Sequence, residues 1–177
     1  MLARLTSCGV FGVDAFLVSV EVDVSSGLPA FNIVGLPDTA VKEARERVRA
    51  SVKNSGFSFP DSRITVNLAP AALKKAGPSF DLPIALGLLA ATEQIKPSLS
   101  DVAVVGELEL SGRLRPTPGV LAAAIAARQS SLRGLLVPRA NLAEAYAVSG
   151  LSVWAAGTLY EAAQALAGQL EPAPPPP

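Results

Sequence analysis

The feature that most limits how this chain can fold is the segment 82–94, LPIALGLLAATEQ, whose apolar residues occur nearly all round a helical wheel. A helix of that kind has no solvent face and must be wrapped by other elements. The spacing therefore predicts a central buried helix. Strands to wrap it are present: residues 3–7, 16–24 (FLVSVEVDV) and 30–34 (AFNIV) alternate with period two, with breaks at Gly9, Gly12, Gly27 and Pro29. They read as a meander. Pro37-Asp38 opens a charged helix to about residue 55, with Asp38 as its expected N-cap and Gly56 just past its end. Val41, Ala44, Val48 and Val52 form its apolar face, and a strand is expected over 63–68 (RITVNL). Stretches 102–110 and 112–115 flank Ser111-Gly112, a two-residue hairpin signal. Beyond Pro118-Gly119, helix (120–128), strand (134–137), helix (141–148), strand (151–155) and helix (159–167) alternate, the pattern of α/β structure with parallel pairing. Half of the 177 residues are apolar, enough for one well-filled core. Residues 1–168 are expected to form that domain, with 169–177, ending EPAPPPP, as an extended, solvated Pro-rich linker toward a further domain.

The chain has no histidine. That removes Ser-His-Asp hydrolysis, Cys-His nucleophiles, HExxH zinc sites and facial-triad iron sites. With one cysteine, Cys8, there is no disulfide pair, CxxC motif or thiolate cage, which suits a reducing cytosolic setting. Neither GxxxxGK[ST] nor a strand-borne GxGxxG occurs, so nucleotide hydrolysis is not expected of this chain. Apolar runs of about ten residues are too short to span a bilayer, and MLARLTSCGV does not run into an apolar signal region. The expected compartment is the cytoplasm. Glu21 with Asp23 and Glu107 with Glu109 each share a strand face. A hard-cation site is conceivable there, but polar residues at every second position are also what a solvent face requires.

Net charge is zero, yet it is segregated. Residues 38–75 carry eight basic and four acidic side chains, and residues 110–143 carry Arg113, Arg115, Arg128, Arg133 and Arg139 with no acid. If the two stretches shared a face they would form a phosphate-binding patch. The alternative is a solvated helix face laced by pairs such as Glu43 with Arg47 and Glu46 with Arg49.

Without histidine the remaining nucleophilic route is a Ser/Lys dyad. The segments KKAGPSFDLPIALGLL, VAVVGELELSGRLRPTPGVLAAAIAA and GLLVP resemble the proteolytic domain of Lon. Gly77, Pro78 and Ser79 fall on that domain's serine motif, and Gly106, Glu107 and Gly112 on its hairpin. The position matching its catalytic lysine is Leu121, so the base is missing; Lys42, Lys53, Lys74, Lys75 and Lys96 all lie elsewhere in sequence. Ser79 then reads as a vestigial nucleophile at a helix start, capping alongside Asp81.

A wider resemblance rests on NIVGLP (32–37), VKEARERV (41–48), ITVNLAP (64–70) and FDLP (80–83). These are similar to the first domain of the bacterial ComM/YifB family, magnesium-chelatase-like proteins that join a Lon-like domain to a AAA+ motor. The resemblance implies an α/β, ribosomal protein S5 domain 2-like (Lon proteolytic-domain-like) fold, a mixed sheet with packed helices. It implies a longer protein in which the Walker motifs, arginine finger, ATP and magnesium belong to the AAA+ part, leaving no cofactor or metal in this chain. It also implies a hexameric DNA-processing machine promoting branch migration in natural transformation. Members commonly carry another residue at the Ser79 position, so neither dyad residue is required. On this reading the chain is a non-catalytic accessory domain that helps to assemble the ring or contacts nucleic acid, with its own motor domain and further copies as expected partners and DNA as a candidate partner. Candidate DNA contacts are Lys42, Arg45, Arg49, Lys53, Lys74 and Lys75. The alternatives are a weak Ser79 peptidase and a chelatase component in tetrapyrrole metal insertion; for the latter, a shared fold does not transfer the substrate.

Overall fold

The computed structural model describes residues 1–71, 75 and 77–177. In chain order its elements are β1 (Leu2–Phe11), β2 (Asp14–Ser25), β3 (Ala30–Val34), α1 (Asp38–Asn54), β4 (Arg63–Ala69), α2 (Asp81–Ala91), β5 (Val102–Val104), β6 (Glu107–Leu108), β7 (Leu114–Arg115), α3 (Val120–Gln129), β8 (Gly134–Pro138), α4 (Leu142–Tyr146), β9 (Ser152–Ala156) and α5 (Leu159–Leu166). Seven strands form one mixed sheet in the order β3-β4-β2-β1-β5-β8-β9, while β6 and β7 pair separately.

The apolar helix is where its composition requires. Every residue of α2, Asp81 through Ala91, is buried. It packs across β1 and β2 and touches α1 and α5. At Gly87 an added Cβ would come within 2.6 Å of a Val22 methyl, so the missing side chain is what lets the helix approach the sheet. On this face the core joins Leu5, Val18, Val20 and Val22 to Ile64, Val66 and Leu68, with α1 and α5 flanking α2. A second core on the opposite face packs α3 and α4 against Cys8, Ala103, Val105, Leu135, Val137 and Val153. The result is helix, sheet, helix.

Two sequence expectations are corrected by topology. The first three strands are not a meander: β1 and β2 pair antiparallel, but β4 inserts between β2 and β3 and pairs parallel with β3. The α1 crossover makes this possible, since parallel neighbours need a long connection. It also encloses Ile64, Val66 and Leu68, which are all but fully buried. The expected strand over 102–110 is broken in two, with β5 in the main sheet and β6 in the small one. At the break Gly106 donates its N–H to the Ser79 carbonyl, and its own carbonyl accepts from Leu82 N–H, so this backbone holds the start of α2 instead of a strand ladder. The hairpin turn is correspondingly wider than two residues, closed by Glu109 N–H to the Arg113 carbonyl and Gly112 N–H to the Glu109 carbonyl.

The ends of α1 also differ in part from expectation. Pro37 occupies the N-cap position with no side-chain cap, and Asp38 is the first helical residue, where its charge favours the helix N-terminus. At the other end Gly56, with φ +85°, terminates the helix as expected. Gly56 N–H donates to the Lys53 carbonyl and Phe57 N–H to the Val52 carbonyl, a Schellman closure that needs a left-handed residue. The C-terminal segment is not wholly solvated from residue 169: Ala173 N–H donates to the Val153 carbonyl at 2.7 Å. Among the described residues no helix is long and apolar enough to cross a membrane.

Candidate nucleic-acid interface

Residues 42, 45, 49 and 53 follow one another on α1 at intervals of three or four, which places them on one face. That face runs along the edge strand β3. Arg45 Nη1 donates to the Phe31 carbonyl at 3.1 Å, tethering the arginine to the strand. The Arg49 guanidinium lies 5.3 Å from the Phe59 ring centroid, and Phe59 in turn sits 5.6 Å from Phe31. Stacking of this kind orients a guanidinium while leaving its edge for an anion. Lys42 and Lys53 are exposed. Arg49 and Lys53 line a cleft of about 390 Å³ with Phe31, Phe59 and Asp61. The expected pairs exist but are loose: Arg49 with Glu46 at 3.3 Å and Arg47 with Glu43 at 3.7 Å, both glutamates well exposed. Exposed pairs of this type contribute little stability.

Arg47 turns the other way. Its Nε and Nη2 donate to Asp81 Oδ2 and Oδ1 at 2.6 and 3.2 Å. Asp81, almost fully buried at the start of α2, also accepts the Leu108 N–H at 3.1 Å. One carboxylate therefore ties α1, α2 and β6 together. Burial pushes the Asp81 carboxyl up to about 6, with the Arg47 hydrogen bond and charge working in the opposite direction. Asp81 is thus not a helix cap but the partner of an inward arginine. The available sequence signal was one acid opening an otherwise apolar helix.

The other candidates separate. Lys75 is 2% exposed and its ammonium donates to the Pro70 carbonyl, so as placed it is a buried lysine and not an exposed phosphate contact. Lys74 lies outside the described residues. Ser79 sits in a short turn, Pro78–Phe80, and makes no cap to α2, whose N-cap position is Phe80. It lines a void of about 10 Å³ with Cys8, Val10, Val105, Thr117 and Val120, with no lysine among the described residues that line it. That is about one water's space. Leu121 is 43% exposed in the first turn of α3, and its N–H donates to Glu144 Oε2 at 2.9 Å. Asn141 clamps the loop before it, accepting Thr117 N–H and donating to the Thr117 carbonyl, each at 2.9 Å. A glutamate and an asparagine thus organise the start of α3. Cys8 is buried, which pushes its thiol up to about 12.

The second basic stretch does not make one patch. Arg133 precedes β8 and lies 5.3 Å over the Trp154 ring, while Arg139 follows β8 and pairs with Glu161 at 2.6 Å. The five residues of β8 lie between them, six extended steps or about 20 Å. Arg113 and Arg115 lie near the Arg139 end, where Leu114 N–H bonds the Gly157 carbonyl. Arg128 instead reaches Ser149. Of the acidic pairs, Glu21 is held by Arg4 at 2.7 Å and Asn67 at 3.1 Å, hydrogen bonds that lower its pKa. No group of three potential metal-ligating side chains occurs among the described residues.

An α/β sheet layered in this way has relatives among proteases. The chain is 28% identical over 143 residues to the mitochondrial Lon protease homolog 1 of Arabidopsis thaliana, covering 77% of this chain and 15% of that protein. The mixed sheet and packed helices are compatible with an S5 domain 2-like fold. Residues 20–141 match the family described as subunit ChlI of Mg-chelatase. Identity to the competence protein ComM of Haemophilus influenzae is 48% over 169 residues, 95% of this chain and 33% of that protein. To YifB of Escherichia coli it is 48% over 140 residues, 78% of this chain and 28% of that protein. The chain belongs to the Mg-chelatase-like family that includes ComM and YifB. It spans about a third of the length of these relatives.

Proposed function

We propose that this chain is a non-catalytic accessory domain of a Mg-chelatase-like AAA+ protein acting in DNA processing such as branch migration, and that it contacts nucleic acid through the outer face of α1. The observation that carries this reading is the placement of Lys42, Arg45, Arg49 and Lys53 on one face, with Arg45 tethered to Phe31 and Arg49 stacked on Phe59. Cations held in a row along a rigid helix suit a phosphate backbone, whose recognition is mainly electrostatic and carries no base readout by itself. Similarity to a competence protein supports the DNA context. On this reading ATP and magnesium are handled by a motor domain of the longer protein, the working form is a homo-oligomeric ring in the cytoplasm, and Ser79 performs no chemistry. The test is binding of branched and single-stranded DNA between about 50 and 300 mM salt, with affinity expected to fall steeply as salt rises. Absence of binding at the lowest salt would remove the nucleic-acid role and leave ring assembly.

A further inference from the structure

The cation row on the outer face of α1 does not run out onto open surface. Its last two members, Arg49 and Lys53, line the cleft of about 390 Å³, whose remaining lining comes from the start of β3 and from the loops leading into β3 and β4. Those loops place Pro29 and Pro60 in the lining, and the fixed φ of proline leaves them few other conformations. Ala30 N–H donates to the Ser62 carbonyl at 3.3 Å and ties the start of β3 to the end of the second loop. The cleft is therefore held open by its own backbone. Its chemistry is mixed. Phe31 and Phe59 give flat apolar surface, their ring centroids 5.6 Å apart and their planes inclined at 44°. The Arg49 guanidinium lies 5.3 Å from the Phe59 centroid, and its side chain is still 39% exposed, so a planar cation remains open to solvent. Among the described residues that line the cleft, Asp61 is the one acid, and it is exposed. A phosphate entering here would meet that carboxylate, whereas a neutral flat ring would meet two aromatic side chains and a guanidinium plane.

We propose that this cleft takes an unpaired nucleobase from a single strand whose phosphates lie along Lys42, Arg45 and Lys53. The inference rests on the nucleic-acid role of α1 and adds a base contact to it. Aromatic faces and guanidinium planes are the surfaces on which splayed-out bases stack, with little regard to sequence. A paired base is unavailable without the cost of unstacking and unpairing it, so a duplex would use the cations of α1 and leave the cleft empty. From Lys42 to Lys53 the row covers about 16 Å of helix, which carries a strand up to the cleft without a gap.

The test uses the 177-residue chain and two probes of equal length: a single-stranded oligodeoxynucleotide, and the same sugar–phosphate strand with every base removed. Both carry the same phosphates, so the ratio of their affinities at about 50 mM salt reads the bases alone. The unaltered chain should bind the natural strand about tenfold more tightly than the abasic one, the size of one base–aromatic stack. Phe59→Leu, which keeps an apolar side chain and removes the ring, should bring that ratio to about one, whatever its overall affinity. A ratio of one in the unaltered chain would overturn the proposal and leave phosphate binding by α1 standing. A tenfold ratio that survives Phe59→Leu would also overturn it, by placing the base contact elsewhere. Failure of the unaltered chain to bind either strand would overturn both this inference and the nucleic-acid role on which it rests.

Discussion

The two basic stretches have similar charge density in sequence and opposite fates in the fold. In 38–75 the helix α1 sorts its cations: Arg47 goes inward to Asp81, while Lys42, Arg45, Arg49 and Lys53 stay on an outer face. In 110–143 the cations are distributed by strand β8, with Arg133 at one end and Arg139 at the other, each engaged locally. Linear clustering becomes a surface patch only when one regular element carries the charges at its own period. A helix period did so here, and a chain passing through a buried strand did not.

The largest effect should come from the inward cation of α1. Asp81→Ala leaves Arg47 half-buried without its partner, and breaking such a pair typically costs about 3–5 kcal/mol, measured by urea denaturation. Single neutralisations of Lys42 or Lys53 should stay within about 0.5 kcal/mol. If Asp81→Ala were equally mild, the division of α1 into an inward and an outward face would lose its energetic meaning.

The same carboxyl sets a pH dependence. Its folded-state value of about 6 lies above the ordinary 3.8, so the folded state holds the proton more tightly than the unfolded one. The stabilisation is complete below about pH 4 and is lost as pH rises through 6. Unfolding free energies at pH 4 and 7 should differ in this sense, and Asp81→Asn should flatten that difference. A rise in stability from pH 4 to 7 that Asp81→Asn abolishes would mean that Arg47 outweighs burial.

Smaller changes are expected in the second stretch. Arg128→Gln with Arg133→Gln should alter DNA affinity by about threefold at most, since the two do not join the α1 face. The smallest effect is expected from Ser79→Ala, within about 0.5 kcal/mol in thermal unfolding, because its side chain caps no helix. A large loss there would indicate a structural role for the hydroxyl.

Much of this architecture could be read from the residues. Segment 82–94 had to be buried, and the period-two runs had to be strands, because those patterns leave few alternatives. Which strand neighbours which was not legible: the alternation in 63–68 specifies a strand with a buried face but not its insertion between β2 and β3. The outer cations of α1 were legible from helical spacing. The burial of Lys75 was not, since nothing around it in sequence distinguishes it from a solvated lysine. Arg47 looked like its neighbours on α1 until Asp81, 34 residues away, gave it a direction. The docking of the C-terminal segment was hidden for another reason: a proline run reads as solvated, and the docking depends on the single N–H of Ala173.

The most direct measurement is a salt titration of DNA binding by the unaltered chain, by Arg128→Gln/Arg133→Gln, and by a variant with Lys42, Arg45, Arg49 and Lys53 all changed to glutamine. If the outer face of α1 is the interface, the fourfold variant should bind about a hundredfold more weakly at low salt, with the log–log slope on duplex arms shallower by about 3–4. The Arg128/Arg133 variant should keep the parent slope. Equal slopes for the parent and the fourfold variant, with affinity unchanged, would contradict a nucleic-acid interface on α1.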